Sequence, residues 1–375
     1  MNDKLALGLL SEVMGWANDD SIAAQEYQWL RLMGAAKYDG YSDFRAGVRF
    51  LESFATWLKQ FAQPDRQAAY DFVKNRLVYI SFPELQRLIE AFVPEIVTPV
   101  VRRVAAQELK IKPYEIWSTP EGFECFKDHL RKVLIVGMSD GSRIDYLRRA
   151  NAKLLSTEQI VPMMNIDAEK WEDLNSKLEK ACGTGAKFTH VYLIDDFTAS
   201  GTTFIRQTPE GGWKGKLSNF NKLIIKSRDL GDKFPITDGY HLHIHHYISS
   251  YQARTALEER IADAEQNWME KSFGTIDISQ GLLLPETAKL DVASDAAILD
   301  ICKNYYDHAL FKRLEKHCRE AGQTTMMYGY ADCALPVVLD HNTPNNSIPL
   351  LWAETPGEDG AHAMRPLFFR RDRHG

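Results

Sequence analysis

One stretch of this chain places acids, hydroxyls and a glycine where they could do chemistry. It reads Val191-Tyr192-Leu193-Ile194-Asp195-Asp196-Phe197-Thr198-Ala199-Ser200-Gly201-Thr202-Thr203. An apolar run delivers two adjacent carboxylates, and a run of small and hydroxyl residues follows. Carboxylates accept hydrogen bonds from sugar hydroxyls, directly or through a bound Mg²⁺. Small residues let backbone approach a ligand, and N–H groups at a helix start favour an anion. The expected chemistry is therefore that of a sugar phosphate. Asp195 and Asp196 are the candidate catalytic and metal-binding residues. Thr198, Ala199, Ser200, Gly201, Thr202 and Thr203 are the candidate phosphate loop. Taken singly, either feature would be only a strand-to-helix turn capped by Ser and Thr.

A second loop has the same character. Val133-Leu134-Ile135-Val136 runs into Gly137-Met138-Ser139-Asp140-Gly141-Ser142-Arg143. Ser139, Ser142 and Arg143 suit phosphate oxygens, Arg as a planar fork, and Gly141 permits a tight turn. Asp140 beside an anionic ligand makes sense only with Mg²⁺ present or with its side chain turned away.

The positioning elements follow from periodicity. The apolar run at 133–136 predicts one strand and residues 158–164 a second, with Pro162 making it an edge. Trp171, Leu174 and Leu178 mark a helix face that stops at Gly183. A third strand covers His190–Ile194, with a helix expected from about Thr203, and a fourth covers His241–Ile248 ahead of a helix through Tyr251–Ile261. Strands alternating with helices predict an α/β fold with a mostly parallel sheet. Both polar loops then lie at the carboxyl ends of strands, where such sheets bind ligands.

The acidic stretch resembles the phosphoribosyl-pyrophosphate motif of type I phosphoribosyltransferases. That pattern is an apolar strand, two acids, two variable residues and a small–small–Gly–x–Thr loop. By this resemblance Asp195 and Asp196 hold ribose hydroxyls with Mg²⁺ help, residues 199–203 wrap the 5-phosphate, and Ser139, Asp140, Gly141, Ser142 and Arg143 receive pyrophosphate. Several purine-using members carry an Asp where this chain has Ala199, so chemistry on the base must come from elsewhere. The far segment is similar to phosphoribosyltransferase-like proteins with a C-terminal extension from bacterial defence loci, some of them retrons. The residues that carry this are Tyr328-Gly329-Tyr330, His341 to Trp352 and Pro366 to Arg371. The resemblance implies a glycosyl-transferring enzyme with a C-terminal hood, acting on phosphoribosyl pyrophosphate or a nucleotide. It also implies an antiphage effector role and contact with a reverse-transcribed DNA or RNA complex. A non-catalytic nucleotide sensor that docks a partner is the alternative.

Residues 1–110 read as several short helices, either winged-helix-like or a docking bundle, and 111–375 as the phosphoribosyltransferase-like part. Helical faces appear at Val48, Leu51, Phe54, Ala55, Leu58 and Phe61, and at Leu85, Leu88, Ile89 and Phe92. Asp19-Asp20-Ser21 is a candidate cap. Residues 1–110 hold 13 Lys and Arg against 14 Asp and Glu. With no basic surplus, a protein partner or second copy suits them better than duplex DNA. Trp16, Tyr27, Trp29, Tyr38 and Tyr41 are candidate exposed anchors.

Two constellations imitate other chemistry. His241, His243 and His245 share one strand face, yet no Cys or carboxylate set completes a metal site in sequence, so a polar row is the expectation, with one His lining the nucleotide cleft as an intermediate. Gly211-Gly212-Trp213-Lys214-Gly215-Lys216-Leu217 lacks the length and the hydroxyl of a P-loop. It reads as a solvated basic loop, or as one lying over the site. The arginines Arg365, Arg370, Arg371 and Arg373 read as a solvated tail.

With 375 residues, 45% apolar and a net charge of −6, bulk electrostatic nucleic-acid binding is excluded. Five scattered cysteines exclude a disulfide framework and fit a reducing compartment. No stretch is long enough for a membrane span. A cytoplasmic protein without membrane contact is expected.

Overall fold

The computed structural model describes residues 3–17, 21–44, 49–208, 210–320, 322–357 and 360–370. The expected cap at Asp19-Asp20, the apolar Val48 and the tail arginines Arg371 and Arg373 lie outside these residues.

Five strands build the sheet that carries both loops: β1 (Val133–Gly137), β2 (Ile160–Pro162), β3 (Phe188–Thr198), β4 (Ile236–Ser250) and β5 (Thr275–Leu284). Their order is β2-β1-β3-β4-β5, and every pairing is parallel. The edge position of β2 agrees with Pro162, which has no N–H to give a further neighbour. β5 was not expected. Its residues alternate between partial and full exposure, so it lacks the continuous apolar run of a buried strand.

Period-two alternation divides the sheet into two chemically different faces. Leu134, Val136, Val191, Leu193, Leu242 and Ile244 join Trp171, Leu174, Leu178, Phe220, Ile224, Leu257 and Ile261 in one apolar core. The opposite face carries His190, Tyr192, His243, His245 and Tyr247, all buried. Phe92 stands against that face, in ring contact with Tyr192, His245 and Tyr247. It belongs to a π-helical turn, Phe92–Val97, that carries the chain through Val93-Pro94 without ending the helix. The helix Ala168–Cys182 stops where expected, with Gly183 at φ +97° as its C-cap.

No helix begins at Thr203. Residues 199–205 turn instead, a short hairpin pairs Arg206–Gln207 with Trp213–Lys214, and the next helix is Lys216–Ser227. Gly215 makes that entry possible. Its φ is +113°, and a Cβ there would lie 2.5 Å from the Phe204 carbonyl oxygen.

The chain divides into two compact units, residues 1–84 with 285–375, and residues 85–284. The contacts therefore do not follow the expected division into 1–110 and 111–375. Val78–Ile80 pairs in parallel with Val337–Leu339, which joins the first helices to the far segment. Residues 285–375 thus complete the core of the N-terminal helices. The helices Asp3–Met14, Ser21–Ala36, Phe50–Lys59 and Arg66–Asn75 share that core with Val292–Asn304 and Ala309–Glu320. Tyr27, Tyr38 and Tyr41 are buried, and Trp16 and Trp29 pack against the same core. The five aromatics serve packing and are not an exposed docking row. No winged hairpin occurs among the described residues before 110.

The segments quoted for the C-terminal resemblance make specific contacts in this core. Trp57 Nε1 donates to the Leu350 carbonyl at 2.7 Å. Trp352 Nε1 donates to the Ser347 carbonyl at 2.9 Å. Gly329, at φ +80°, leaves no room for a Cβ against the Asn346 carbonyl, 2.5 Å away. Phe368 is fully buried, with the rings of Tyr38, Tyr41, Phe44, Phe50 and Tyr79 around it. All five cysteines are free thiols. No described helix is long and apolar enough to cross a membrane.

Phe368→Ala should cost about 3–5 kcal/mol, the usual range for emptying a buried aromatic site. Chemical denaturation followed by tryptophan fluorescence checks it, since Trp16, Trp29, Trp57 and Trp352 all belong to this unit.

Candidate active site

The two loops predicted to act together are joined through one carbonyl. β1 and β3 pair with Gly137 opposite Ile194. Just beyond that register, Met138 N–H donates to the Ile194 carbonyl at 2.9 Å, and Ser142 Oγ donates to it at 2.8 Å. The β1 loop therefore starts beside the middle of β3, which runs past the expected end at Ile194 and carries Asp195, Asp196 and Thr198 within the strand.

Asp195 is 3% exposed. Ser139 Oγ donates to its Oδ1 at 2.5 Å, and the Lys216 ammonium pairs with its Oδ2. Burial raises its pKa and the Asp196 charge raises it further, while Lys216 and Ser139 pull it down; the net shift is upward. Asp196 is half-buried and lies against Gly141. A Cβ on Gly141 would sit 2.3 Å from Asp196 Oδ2. Any larger residue at 141 would have to push the Asp196 carboxylate aside, and the φ of Gly141 is not positive. The left-handed residue of this loop is Arg143, at φ 48°.

Ser142 is fully buried. Its hydroxyl accepts from Ser139 N–H at 3.1 Å while donating to Ile194, and its carbonyl accepts from Tyr247 Oη at 3.2 Å. Its side chain holds the loop's shape and is not presented to a ligand. Arg143 Nε is buried without a partner. Asp140 is exposed and turned toward solvent. A cleft of about 480 Å³ of empty space opens beside this loop, lined by Gly137, Ser139, Asp140, Asp145, Pro162 and Met163 among others.

The second loop is held from behind. Ser250 Oγ donates to the Ala199 carbonyl at 2.6 Å and also caps the helix Tyr251–Asn267, accepting from Ala253 N–H. Arg260 donates to the Ser200 and Ile205 carbonyls at 3.3 and 3.4 Å. Gly201, at φ +67°, faces Leu257 and the Ala253 carbonyl, with a Cβ only 3.1 and 3.3 Å away. Thr198, Ala199, Ser200 and Thr202 are buried, and Thr203 is exposed.

Two residues at the site were not among the predicted set. Lys216 was read with Lys214 as part of a basic loop, but it opens a helix and neutralises Asp195. The failed P-loop pattern around it was the only sequence signal. His246, the register partner of Asp195 on β4, is fully buried, and burial pushes its pKa down to about 3, helped by the Lys216 charge.

The donor set fits a divalent cation. Two adjacent carboxylates, one of them deeply buried and already requiring a counter-charge, are oxygen ligands of the type Mg²⁺ takes.

A family model described as PRTase-CE matches residues 54–370. The chain belongs to the PRTase-CE family. The match begins inside the helix Phe50–Lys59 and runs through both compact units, so the helical region from residue 54 onward is part of what the family shares. PRTase-CE membership points to phosphoribosyltransferase-like activity. No curated protein and no solved structure gave a match.

Asp195 gives a prediction with a definite sign. A carboxyl whose folded pKa is raised contributes most below its unfolded value, near 4, and loses that contribution as pH rises through the folded value. Asp195→Asn should therefore hold or raise the melting temperature at pH 7. Acidification from pH 7 to pH 5 should favour the wild type relative to the variant. A melting temperature that drops on substitution at pH 7 would assign Asp195 a structural role.

Proposed function

We propose that this PRTase-CE protein transfers a phosphoribosyl group from phosphoribosyl pyrophosphate, or cleaves the related N-glycosidic bond of a nucleotide. The observation that carries the reading is the meeting of two loops more than fifty residues apart in sequence: Ser139 bonded to Asp195, with Gly141 against Asp196. A donor lying across this junction would have its ribose at the acid pair, its 5-phosphate at Thr198–Thr203 and its pyrophosphate at Ser139–Arg143. Ser142 contributes by fixing that loop, and Arg143 Nε is a donor still without an acceptor.

The chemistry follows from position and charge. The C1–pyrophosphate bond breaks, and the sugar carbon becomes oxocarbenium-like. Asp195 and Asp196 orient the ribose hydroxyls and place negative charge near that cation. Backbone N–H groups in both loops hold the phosphates, so donor and acceptor stay in line. Mg²⁺ held by Asp195 and Asp196 would neutralise the leaving pyrophosphate. Donor binding then has to draw Lys216 away from Asp195, freeing its ammonium for a phosphate oxygen. Ala199 gives no base catalysis, so the acceptor's own acidity or another residue must serve.

An effector role in antiphage defence, with a reverse-transcribed nucleic acid as partner, is the cellular setting the C-terminal resemblance supports. The internal Lys216–Asp195 pair favours one second reading. A site already neutralised by the protein can bind a nucleotide and switch state without turnover, which would make the protein a sensor or adaptor.

Asp196→Asn should remove pyrophosphate release from phosphoribosyl pyrophosphate and Mg²⁺ by at least about 100-fold, as expected when a charge acting in the transition state is lost, with the melting temperature unchanged. Gly201→Val should abolish calorimetric binding of ribose 5-phosphate, because a β-branched residue fits neither that φ nor that space. Tight binding by the wild type with no pyrophosphate released would select the sensor. Full binding by Gly201→Val would refute the loop's assignment.

A further inference from the structure

The polar face of the sheet holds a second cluster that the phosphoribosyl site does not use. His190 and His241 are register partners on β3 and β4, His243 follows two residues along β4, and Asp277 on β5 is the register partner of His243. One ligand nitrogen from each of the three histidines lies within 4.8 Å of the others. His190 Nδ1 and His243 Nε2 are 3.0 Å apart. Asp277 Oδ2 is 3.0 Å from His241 Nε2 and 3.7 Å from His243 Nδ1.

This differs from the row seen in sequence. His245 stands apart, with Nδ1 against Ser279 Oγ at 2.9 Å and its ring against Phe92. His190 comes in from the neighbouring strand, and Asp277 brings the carboxylate that linear reading did not find. Beside the cluster the buried Tyr192 Oη has no hydrogen-bond partner, and its ring stacks on His243 at 4.2 Å.

We propose that His190, His241 and His243 bind one divalent transition metal of the zinc class, with Asp277, hydrogen-bonded to His241, orienting that ring or completing the coordination. Imidazole is a preferred ligand for such ions. Nitrogens bound at 2.0–2.1 Å around a tetrahedral ion stand about 3.3 Å apart, and the His190–His243 pair is already near that separation. A neutral imidazole offers one ring lone pair to a metal. The stacked rings, with interplanar angles of 14–25°, must turn about χ2 to converge on the ion. His241 is partly exposed, with 34% of its side chain accessible, which opens a path for entry. A carboxylate behind a ligating histidine is the usual device for fixing its tautomer.

The site is separate from the acid pair. His190 and Asp195 lie five residues apart on one strand, about 16 Å at the rise of extended chain. The metal would tie β3 to β4, and through Asp277 to β5, near where these strands begin. The proposal does not rest on the phosphoribosyl reading.

The test uses the full chain, stripped with a chelator and titrated with Co²⁺ and then Zn²⁺. The expected result is one equivalent bound per chain, a tetrahedral Co²⁺ absorption band bleached by Zn²⁺, and a melting temperature raised by Zn²⁺. His190→Ala and His243→Ala should weaken Co²⁺ binding by more than about 100-fold, and Asp277→Asn by about 10–100-fold. Should the buried variants not fold, the partly exposed His241→Asn must still lose the band. Asp196→Asn should bind Co²⁺ at this site as the wild type does. Cys125→Ala should too, since it removes a thiol from the other cluster of possible ligands, Glu108, Cys125 and His129. Absence of stoichiometric binding would overturn the proposal. So would wild-type affinity in His241→Asn, or a band abolished by Cys125→Ala.

Discussion

The Ile194 carbonyl, receiving Met138 N–H and Ser142 Oγ together, is the contact on which the candidate site depends. It extends the β1–β3 ladder one step past the strand and holds the turn that follows. Parallel pairing fixes the register, and a slip by one residue would exchange the two sheet faces. Asp195 would then leave Ser139 and Lys216, and Asp196 would lose the space that Gly141 leaves open. Tyr247, from the next strand, secures the same turn through the Ser142 carbonyl.

A buried carboxylate beside another acid is unfavourable for folding alone. The chain compensates with Lys216, delivered by a helix whose start depends on Gly215. The hairpin Arg206–Gln207 with Trp213–Lys214 sets how far that helix begins from the acids, and Trp213 stacks on Trp268 to hold it. Charge balance at the site is thus assembled from three separate stretches of chain.

The elements legible in sequence were those with unbroken patterns. The apolar runs at 133–136 and 190–194 and the Trp171, Leu174, Leu178 face marked two strands and a helix, although the second strand extends over Phe188–Thr198 and takes in both acids. The acids and hydroxyls could be singled out as candidates because their residues are consecutive. What escaped were relations across the fold. β5 did not announce itself because Asp277, Ser279, Gln280 and Gly281 interrupt its apolar residues. The helix expected at Thr203 was displaced by a hairpin whose antiparallel pair is two residues long. Lys216 has meaning only once its partner is in place, and His190 joins His241 and His243 only through strand register. The N-terminal aromatics misled for the same reason, since Tyr38 and Tyr41 pack on Phe368, more than 300 residues further on, and Trp16 packs on Tyr70 from another helix.

Residues 1–84 and 285–375 form one unit around about 200 residues that form the other. During synthesis the sheet can complete its hydrogen bonds as soon as β5 leaves the ribosome. The first four helices cannot close their core then, because Val337–Leu339, Leu350 and Phe368 have not yet been made. They must pass that interval with Phe54, Trp57 and Tyr79 uncovered, the condition in which chains meet chaperones or each other. The central unit acts as a long loop between two halves of one core, and its early folding shortens the distance that the late segment must search.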